Sequence, residues 1–259
     1  MDLELASRTY IVSGGSKGLG LATAEALVRE GAKVVLLSRD EPRLQSVADR
    51  LGDSAISVPG DLNDPQLAFR AIDVARERFG RLDGALVSVG GPPAGTVLST
   101  TDDQWYSAFG TVFLGGLRLM REVARAASVE ESLRPGLGAS IAIVLSSSAV
   151  QVLSGITISN GLRPGLAMLV TDLADEVGPK DVRVNGLLPG RFDTERVREL
   201  DALSGDADQN RARLSAGIPL RRYGHAEEFA QVATFLLSPA ASYVTGTVIA
   251  VDGGSTRVP

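Results

Sequence analysis

Four glycines stand close together where the first apolar run of the chain gives way to a helical pattern. The segment reads Ser13-Gly14-Gly15-Ser16-Lys17-Gly18-Leu19-Gly20. Gly14 can adopt backbone angles closed to other residues, Gly18 lets the main chain approach a ligand, and Gly20 permits close packing of the following helix. The unpaired N–H groups at the start of that helix attract an anion. The segment therefore predicts a turn that binds a pyrophosphate, with an ordinary glycine-rich turn as the alternative.

The end of the second apolar run, Leu37-Ser38-Arg39-Asp40, indicates which dinucleotide the turn would serve. An acidic residue facing the adenosine ribose would bond its 2′-hydroxyl and repel a 2′-phosphate. Here Arg39 can hold a phosphate with its planar fork, Ser38 can donate to it, and Lys17 adds a second positive charge. The pattern favours NADP(H), with NAD(H) as the second choice if Asp40 rather than Ser38 faces the ribose. A surface role for Arg39 is the alternative.

Short apolar runs alternate with segments of helical periodicity along the whole chain. Strands are predicted at Thr9–Val12, Lys33–Leu37, Ala55–Val58, Ala85–Val87, Ser140–Leu145, Val182–Leu188 and Thr247–Val251. Helices are predicted at Leu19–Glu30, Pro42–Leu51, Pro65–Phe79, Asp102–Ala127, Gly161–Val177 and Ala226–Leu237. Most strands are apolar on both faces, which is typical of a parallel sheet covered on each side by helices. We expect one α/β domain over residues 1–259, a Rossmann-like doubly wound parallel sheet of about seven strands, with its ligand crevice where the strand order reverses.

One polar, weakly periodic stretch interrupts the alternation at about residues 191–217. It follows the sixth strand, so in this architecture it lies above the crevice. We expect a mobile lid there, or a solvated surface insertion.

Composition narrows the classes of function. The 259 residues carry a net charge of −5, with 44% hydrophobic residues, no cysteine and the single histidine His225. The absence of a basic run argues against nucleic acid or an anionic membrane as a partner. The absence of cysteine excludes a thiolate metal site, and a single histidine excludes a histidine-rich one. Residues Met1–Leu5 carry acids where a signal peptide has basic residues, and no apolar run approaches the ~20 residues that span a bilayer. We expect a cytoplasmic protein that binds a small-molecule substrate.

The glycine spacing Gly14-x-x-x-Gly18-x-Gly20 resembles that of the short-chain dehydrogenase/reductase family. Further matching segments follow in order: Gly60-Asp61-Leu62, Arg183-Val184-Asn185, Pro189-Gly190-x-x-x-Thr194, Tyr243-Val244-Thr245-Gly246 and Val251-Asp252-Gly253-Gly254. The resemblance covers the whole chain and implies an oligomer, a homotetramer or homodimer, formed through the helix that ends near Ala127 and the helix that begins near Asn160. The residues expected to bind the cofactor are Gly14, Ser16, Lys17, Gly18, Leu19, Gly20, Ser38, Arg39, Asp61, Leu62, Gly90, Pro189, Gly190 and Thr194.

The catalytic positions depart from the family pattern. The family uses a serine, a tyrosine thirteen residues later, a lysine four residues after that, and an asparagine on the preceding helix. Ser147 matches the serine, whereas Asn160 and Pro164 take the tyrosine and lysine positions and Val112 takes that of the asparagine. We expect a divergent branch in which Ser147 and Asn160 polarise a carbonyl together, and water or a lid residue assists proton transfer. Residues 90–95, which hold three glycines and two prolines, suggest a remodelled substrate pocket or a rigid proline turn.

Three hypotheses follow. The first is an NADP(H)-dependent oxidoreductase acting on a carbonyl or alcohol and resembling 3-oxoacyl-thioester reductases. The second is a catalytically inactive dinucleotide-binding protein. The third is a non-redox reaction on the same scaffold.

Overall fold

The parallel sheet has the strand order β3-β2-β1-β4-β5-β6-β7 in this computed structural model, which describes residues 1–127, 138–202 and 206–257. The strands are β1 Thr9–Ser13, β2 Lys33–Ser38, β3 Ala55–Pro59, β4 Gly84–Ser88, β5 Ser140–Val144, β6 Arg183–Pro189 and β7 Val248–Val251. The α-helices of the described residues are α1 Gly18–Arg29, α2 Glu41–Leu51, α3 Leu67–Phe79, α4 Asp102–Ala108, α5 Gly115–Ala127, α6 Thr157–Val177, α7 Glu195–Ala202, α8 Ala207–Gly217 and α9 Ala226–Leu237. The expected doubly wound α/β sheet is confirmed.

Two apolar layers cover the sheet, one on each face. Successive strand residues point to opposite faces, so Ile11 packs with α3, α5 and α6 while its neighbour Val12 packs with α1, α2 and α9. Both side chains are fully buried. The burial of both faces explains why the strands read as continuous apolar runs rather than as alternating ones.

The strand order reverses between β1 and β4, and this point is fixed by a pair of hydrogen bonds. The Ser13 hydroxyl donates to the Ser88 carbonyl oxygen and accepts from the Ser88 N–H, both at 2.9 Å. Chains leave these two strands in opposite directions across the sheet, which opens a crevice beyond their carboxyl ends.

Two predicted elements differ from the structure. The predicted helix Asp102–Ala127 is divided into α4, a π-helical segment at Phe109–Leu114, and α5. The predicted helix Gly161–Val177 begins earlier, at Thr157, which places Ser159 and Asn160 in its first turn. The stretch at 191–217 holds α7 and α8, and its residues 203–205 lie outside the described part. None of the described helices is long and apolar enough to cross a bilayer.

Candidate active site

A crevice of about 580 Å³ runs along the carboxyl ends of the central strands. All of the residues predicted to bind the cofactor line it except Gly20. Gly20 lies beneath the turn, where a Cβ atom would come within 2.4 Å of the Gly14 carbonyl oxygen. Its role is to let α1 pack against the turn.

The glycine turn has the shape that a pyrophosphate requires. Gly14 and Gly18 have φ angles of +64° and +58°, a region that side chains disfavour. A Cβ atom on Gly18 would meet only the Thr194 methyl group, at 3.8 Å, so the backbone there borders open space. Helix α1 begins at Gly18 and directs the unpaired N–H groups of its first turn to this space. The residues present therefore fit a dinucleotide.

At the end of β2, Ser38 rather than Asp40 faces the crevice. The hydroxyl groups of Ser38 and Ser16 are 2.8 Å apart, and both residues line the wall. The Asp40 carboxylate instead accepts from the Arg43 backbone N–H at 3.2 Å and caps α2. Arg39 is exposed and lies 3.7 Å from Asp61. The acid that could disfavour a 2′-phosphate is therefore directed away from the ribose position.

A carboxylate from α7 lies between two cations beside this wall. Glu195, the first residue of α7, accepts from Lys17 Nζ at 3.0 Å and from Arg43 Nη2 at 2.5 Å. Hydrogen bonds from Arg43 and then from Lys17 lower the pKa of Glu195 to about 2. The carboxylate is thus ionised at neutral pH.

The predicted catalytic pair lies outside the crevice, and this expectation needs correction. The Ser147 hydroxyl donates to the Pro189 carbonyl oxygen at 3.3 Å, and Ser147 is not part of the crevice wall. The Asn160 amide accepts from the Leu153 N–H at 3.1 Å and donates to the Leu153 carbonyl oxygen at 2.8 Å. Because both ends of the amide are engaged with one backbone residue, Asn160 holds the loop before α6 and is not free to polarise a carbonyl.

At this end the crevice wall is formed instead by Ser146 and Ser159, each one position before a predicted catalytic residue, and by Arg163. Ser146, Ser159 and Arg163 all line the crevice, beside Pro189 and Gly90. The Ser159 hydroxyl is 2.9 Å from the hydroxyl of Ser148, which is buried behind it. In a helix the side chain of the next residue points about 100° away, so a shift of one position exchanges a crevice residue for one that packs elsewhere.

Arg163 is a buried cation with little to balance it. Only 4% of its surface is exposed, and Nη1 donates to the Val144 carbonyl oxygen at 2.7 Å. Its Nε is buried without a hydrogen-bond partner among the described residues. Burial lowers the pKa of Arg163 to about 10, so the guanidinium remains charged at neutral pH. The crevice therefore contains a permanent positive charge next to two hydroxyl groups.

Other charged residues at 191–217, together with Tyr223, have structural partners. Asp201, which is buried, accepts from Arg191 at 2.8 Å and from the Tyr223 hydroxyl at 3.0 Å. Asp193 accepts from Arg198 and Arg211, and these bonds hold its pKa well below the usual range. None of these residues lines the crevice. They anchor α7 and α8 to the body of the protein.

The sequence reading missed Ser146, Ser159, Arg163 and Arg43. Spacing is compatible with the first three, because Ser159 and Arg163 follow Ser146 by thirteen and seventeen residues, but Asn160 and Pro164 follow Ser147 by the same intervals. The run Ser146-Ser147-Ser148 offers several starting points for that count, and only the strand end decides among them. Arg43 carries no such signal, since its contact with Glu195 joins residues 152 positions apart.

Comparisons with known proteins identify the family of this chain. The family model described as enoyl-(acyl carrier protein) reductase matches residues 14–256. A 3-oxoacyl-(acyl-carrier-protein) reductase FabG of Salmonella typhimurium is 30% identical over 258 residues, covering 99% of this chain and 100% of the relative. The chain belongs to the short-chain dehydrogenase/reductase family. An A-factor type gamma-butyrolactone 1′-reductase of Streptomyces virginiae is 32% identical, covering 97% of this chain and 96% of the relative.

Solved short-chain dehydrogenase/reductase structures share the fold over the full length. The crystal structure of L-sorbose reductase from Gluconobacter frateurii, complexed with NADPH and L-sorbose, superposes with a TM-score of 0.92 at 27% identity and covers 100% of both chains. In the short-chain dehydrogenase/reductase family this architecture supports oxidoreductases, and the relatives named above are reductases.

Proposed function

We propose that this protein is an NADP(H)-dependent oxidoreductase that acts on the carbonyl or alcohol group of a small molecule. The observation that supports this best is a single crevice with a pyrophosphate-shaped glycine turn at one end and a cluster of two hydroxyls and a buried guanidinium at the other. The two ends match the two parts of the reaction, because one suits a dinucleotide and the other suits an oxygen that gains negative charge.

The choice of NADP(H) rests on the charges around the ribose position. Ser38 and Arg39 line the wall, Lys17 lies on the facing turn, and Asp40 is occupied in capping α2. A 2′-phosphate would meet donors and positive charge there, whereas NAD(H) offers only a hydroxyl. We expect NAD(H) to bind more weakly.

At the other end, the hydroxyls of Ser146 and Ser159 donate hydrogen bonds to the substrate oxygen. NADPH, when bound, supplies the hydride to the carbonyl carbon. As the carbonyl π pair moves onto oxygen, Arg163 would stabilise that charge because it is a fixed cation that is itself only 4% exposed. A solvent water molecule, directly or through the Ser159 hydroxyl, would supply the proton that completes the alcohol, and the resulting hydroxide would pass to solvent. Arg163 thus takes over the electrostatic part of the role that a tyrosine and lysine share in the family.

The substrate is best sought among 3-oxoacyl thioesters and related carbonyl compounds, which relatives of this chain reduce according to their names. The loops that follow β4 and β5 border the crevice and are joined by a hydrogen bond from the Gly95 N–H to the Gly155 carbonyl oxygen at 2.7 Å. They carry the exposed apolar side chains Val97, Leu98 and Val152. Such a rim suits an acyl chain.

A catalytically inactive dinucleotide-binding protein is the second candidate. It is favoured by the absence of a phenol at Ser159, since neither a serine hydroxyl nor a guanidinium donates a proton readily near neutral pH. A non-redox reaction on the same scaffold would also need the charge of Arg163 but not the hydride.

We also propose that the protein forms a homodimer or homotetramer through α5 and α6. An apolar groove of about 620 Å³ lies on that face, lined by residues that include Phe113, Leu117 and the largely exposed Met168. A second copy would cover it. Size-exclusion chromatography with light scattering measures the mass of the assembly and tests this. Met168→Glu should shift the assembly to monomer. A monomer in the unaltered protein would contradict the proposal.

Turnover tests the proposed reaction directly. NADPH oxidation is followed at 340 nm with a panel of 3-oxoacyl thioesters, ketones and aldehydes, and the reverse reaction with NADP⁺ and the corresponding alcohols. The double variant Ser159→Tyr/Arg163→Lys restores a proton donor and should increase turnover by about 10²–10⁴-fold on a suitable substrate. If the variant reduces a substrate that the unaltered protein binds but never turns over, the inactive alternative is correct.

A further inference from the structure

Glu195 holds together two cations that belong to different elements of the cofactor half. Lys17 comes from the glycine turn and Arg43 from the first turn of α2, and each contacts the Glu195 carboxylate within 3.0 Å. Arg43 is positioned for this contact because its backbone N–H is fixed by the Asp40 cap at 3.2 Å. Lys17 and Arg43 therefore form a site for an anion, and the Glu195 carboxylate of α7 occupies it.

We propose that Lys17 and Arg43 bind the 2′-phosphate of NADP(H), and that Glu195 is an internal competitor that fills this site until the phosphate displaces it. The inference rests on the proposed use of NADP(H). It adds Arg43 as a residue that determines cofactor specificity and gives the lid carboxylate a role in binding. Arg39 alone would bind the phosphate weakly, since its side chain is 76% exposed and already lies beside Asp61.

The exchange favours the phosphate. A phosphomonoester carries a charge of about −1.5 to −2 at neutral pH and offers three acceptor oxygens, whereas a carboxylate has one charge and two oxygens. The ion pairs of Glu195 are half exposed, at 45% for its side chain, and pairs of this kind are weak in water. The carboxylate can therefore be displaced at small cost, yet it still lowers the apparent affinity.

Displacement also changes how the lid is held. Helix α7 contacts both sides of the crevice through neighbouring residues, because Glu195 reaches Lys17 and Arg43 while Arg196 donates to the Pro92 carbonyl oxygen at 3.0 Å. When the phosphate takes the place of Glu195, the contact on the cofactor side is lost and the contact with Pro92 remains. Binding of NADP(H) would thus release one end of α7 over the crevice, whereas binding of NAD(H) would not.

Calorimetric titration with two matched fragments tests the site without turnover. Adenosine 2′,5′-bisphosphate and 5′-AMP differ only in the 2′-phosphate. Each is titrated into the unaltered protein, Glu195→Gln and Arg43→Gln, and into two controls on the same helices, Glu199→Gln and Arg50→Gln, which alter the charge equally. Arg50 pairs with Glu25 at 2.6 Å, away from the crevice.

We expect the bisphosphate to bind at least about tenfold more tightly than 5′-AMP to the unaltered protein. Arg43→Gln should remove about tenfold of bisphosphate affinity and leave 5′-AMP unchanged, and Glu195→Gln should strengthen bisphosphate binding about threefold. The gain from Glu195→Gln should shrink when Arg43→Gln is present. The controls should change neither Kd by more than about twofold.

Three results would overturn the inference: a Glu195→Gln effect no larger than that of Glu199→Gln, an equal loss of both fragments in Arg43→Gln, or equal binding of both fragments to the unaltered protein. In the last case 5′-AMP still binds, so a dinucleotide function survives while the phosphate site fails. If neither fragment nor either coenzyme binds, the proposed function fails together with it.

Discussion

Replacing Arg163 by methionine should separate its role in function from its role in stability. Methionine has a similar length and no charge, so it fills the space along the crevice floor without the guanidinium. Arg163 makes one described hydrogen bond, to the Val144 carbonyl oxygen. The only carboxylates among the described residues that line the crevice are Asp61 and Glu195, and both lie near the ribose position. The substitution therefore removes a charge that the fold does not need.

The two contributions of the Arg163 charge to the free energy of unfolding, its burial and its hydrogen bond, nearly cancel. Burial lowers the pKa of Arg163 from 12.5 to about 10, and at about 1.4 kcal/mol per tenfold change in proton affinity the buried charge is disfavoured by roughly 3 kcal/mol. The charged hydrogen bond to Val144 offsets about 1.5–3 kcal/mol of this. We expect the free energy of unfolding of Arg163→Met to lie within about 1 kcal/mol of the unaltered value. Turnover should nevertheless fall about 10²–10³-fold, as it does when one stabiliser of a developing oxyanion is removed.

Arg183 provides the matched control. It is also a buried arginine, at 7% exposure, but it donates to the Leu236, Ser238 and Val244 carbonyl oxygens at 2.9, 2.8 and 3.3 Å. Arg183→Met removes these three charge-assisted bonds, although each acceptor keeps a second donor, from Ser140, Ala241 and Asn185 respectively. Because three such bonds are lost, the variant should lower the free energy of unfolding by about 3–5 kcal/mol. Urea unfolding and NADPH oxidation are measured on both variants. An Arg163→Met protein that is as destabilised as Arg183→Met, or that keeps full turnover, would refute the reasoning.

Three further predictions follow from the site and its surroundings. Ser146→Ala should reduce kcat/KM about 10-fold or more because it removes a donor to the substrate oxygen, whereas Ser147→Ala should change it less than about twofold; equal effects would reject the position assigned to Ser146. Asn160→Ala should lower the free energy of unfolding by about 1–3 kcal/mol in urea titrations with kcat retained, since both amide bonds to the loop are lost; a large loss of kcat with unchanged stability would restore the catalytic role first expected for Asn160. Hydrogen bonds, first from Arg222, lower the pKa of Glu228 from 4.5 to about 2, so its stabilising effect is present above pH 4.5 and disappears as the pH falls to 2. Glu228→Gln should therefore have a lower melting temperature than the unaltered protein at pH 7, with a difference that narrows between pH 4.5 and 2; a constant difference would contradict the assignment.

The fold could be predicted from the sequence because the signals are local. Each strand is a short apolar run, and a helix buries one stripe, so periodicity locates both without knowledge of the rest of the chain. The π-helical segment at Phe109–Leu114 could not be read in this way. It lies where Gly110 and Gly115 approach the loop at Leu62 and Asn63, and a Cβ atom on Gly115 would come within 2.8 Å of the Leu62 carbonyl oxygen.

The site likewise has a part that local sequence signals predict and a part that they do not. The glycine turn and the end of β2 are contiguous segments, and all of the residues predicted there except Gly20 line the crevice. At the end of the crevice that would bind the substrate carbonyl, the wall residues depend on which of three consecutive serines faces inward and on the rotation of α6. A count of residues cannot decide either. The Glu195 contacts join three elements far apart in sequence, so only the folded chain reveals them.

Binding of the intact coenzymes to the unaltered protein tests the central claim most directly. Isothermal titration should give one NADPH per chain, with a Kd at least about tenfold lower than that for NADH. Folded protein that releases no heat with either coenzyme, over a range of temperatures, would contradict the assignment of this crevice to a dinucleotide.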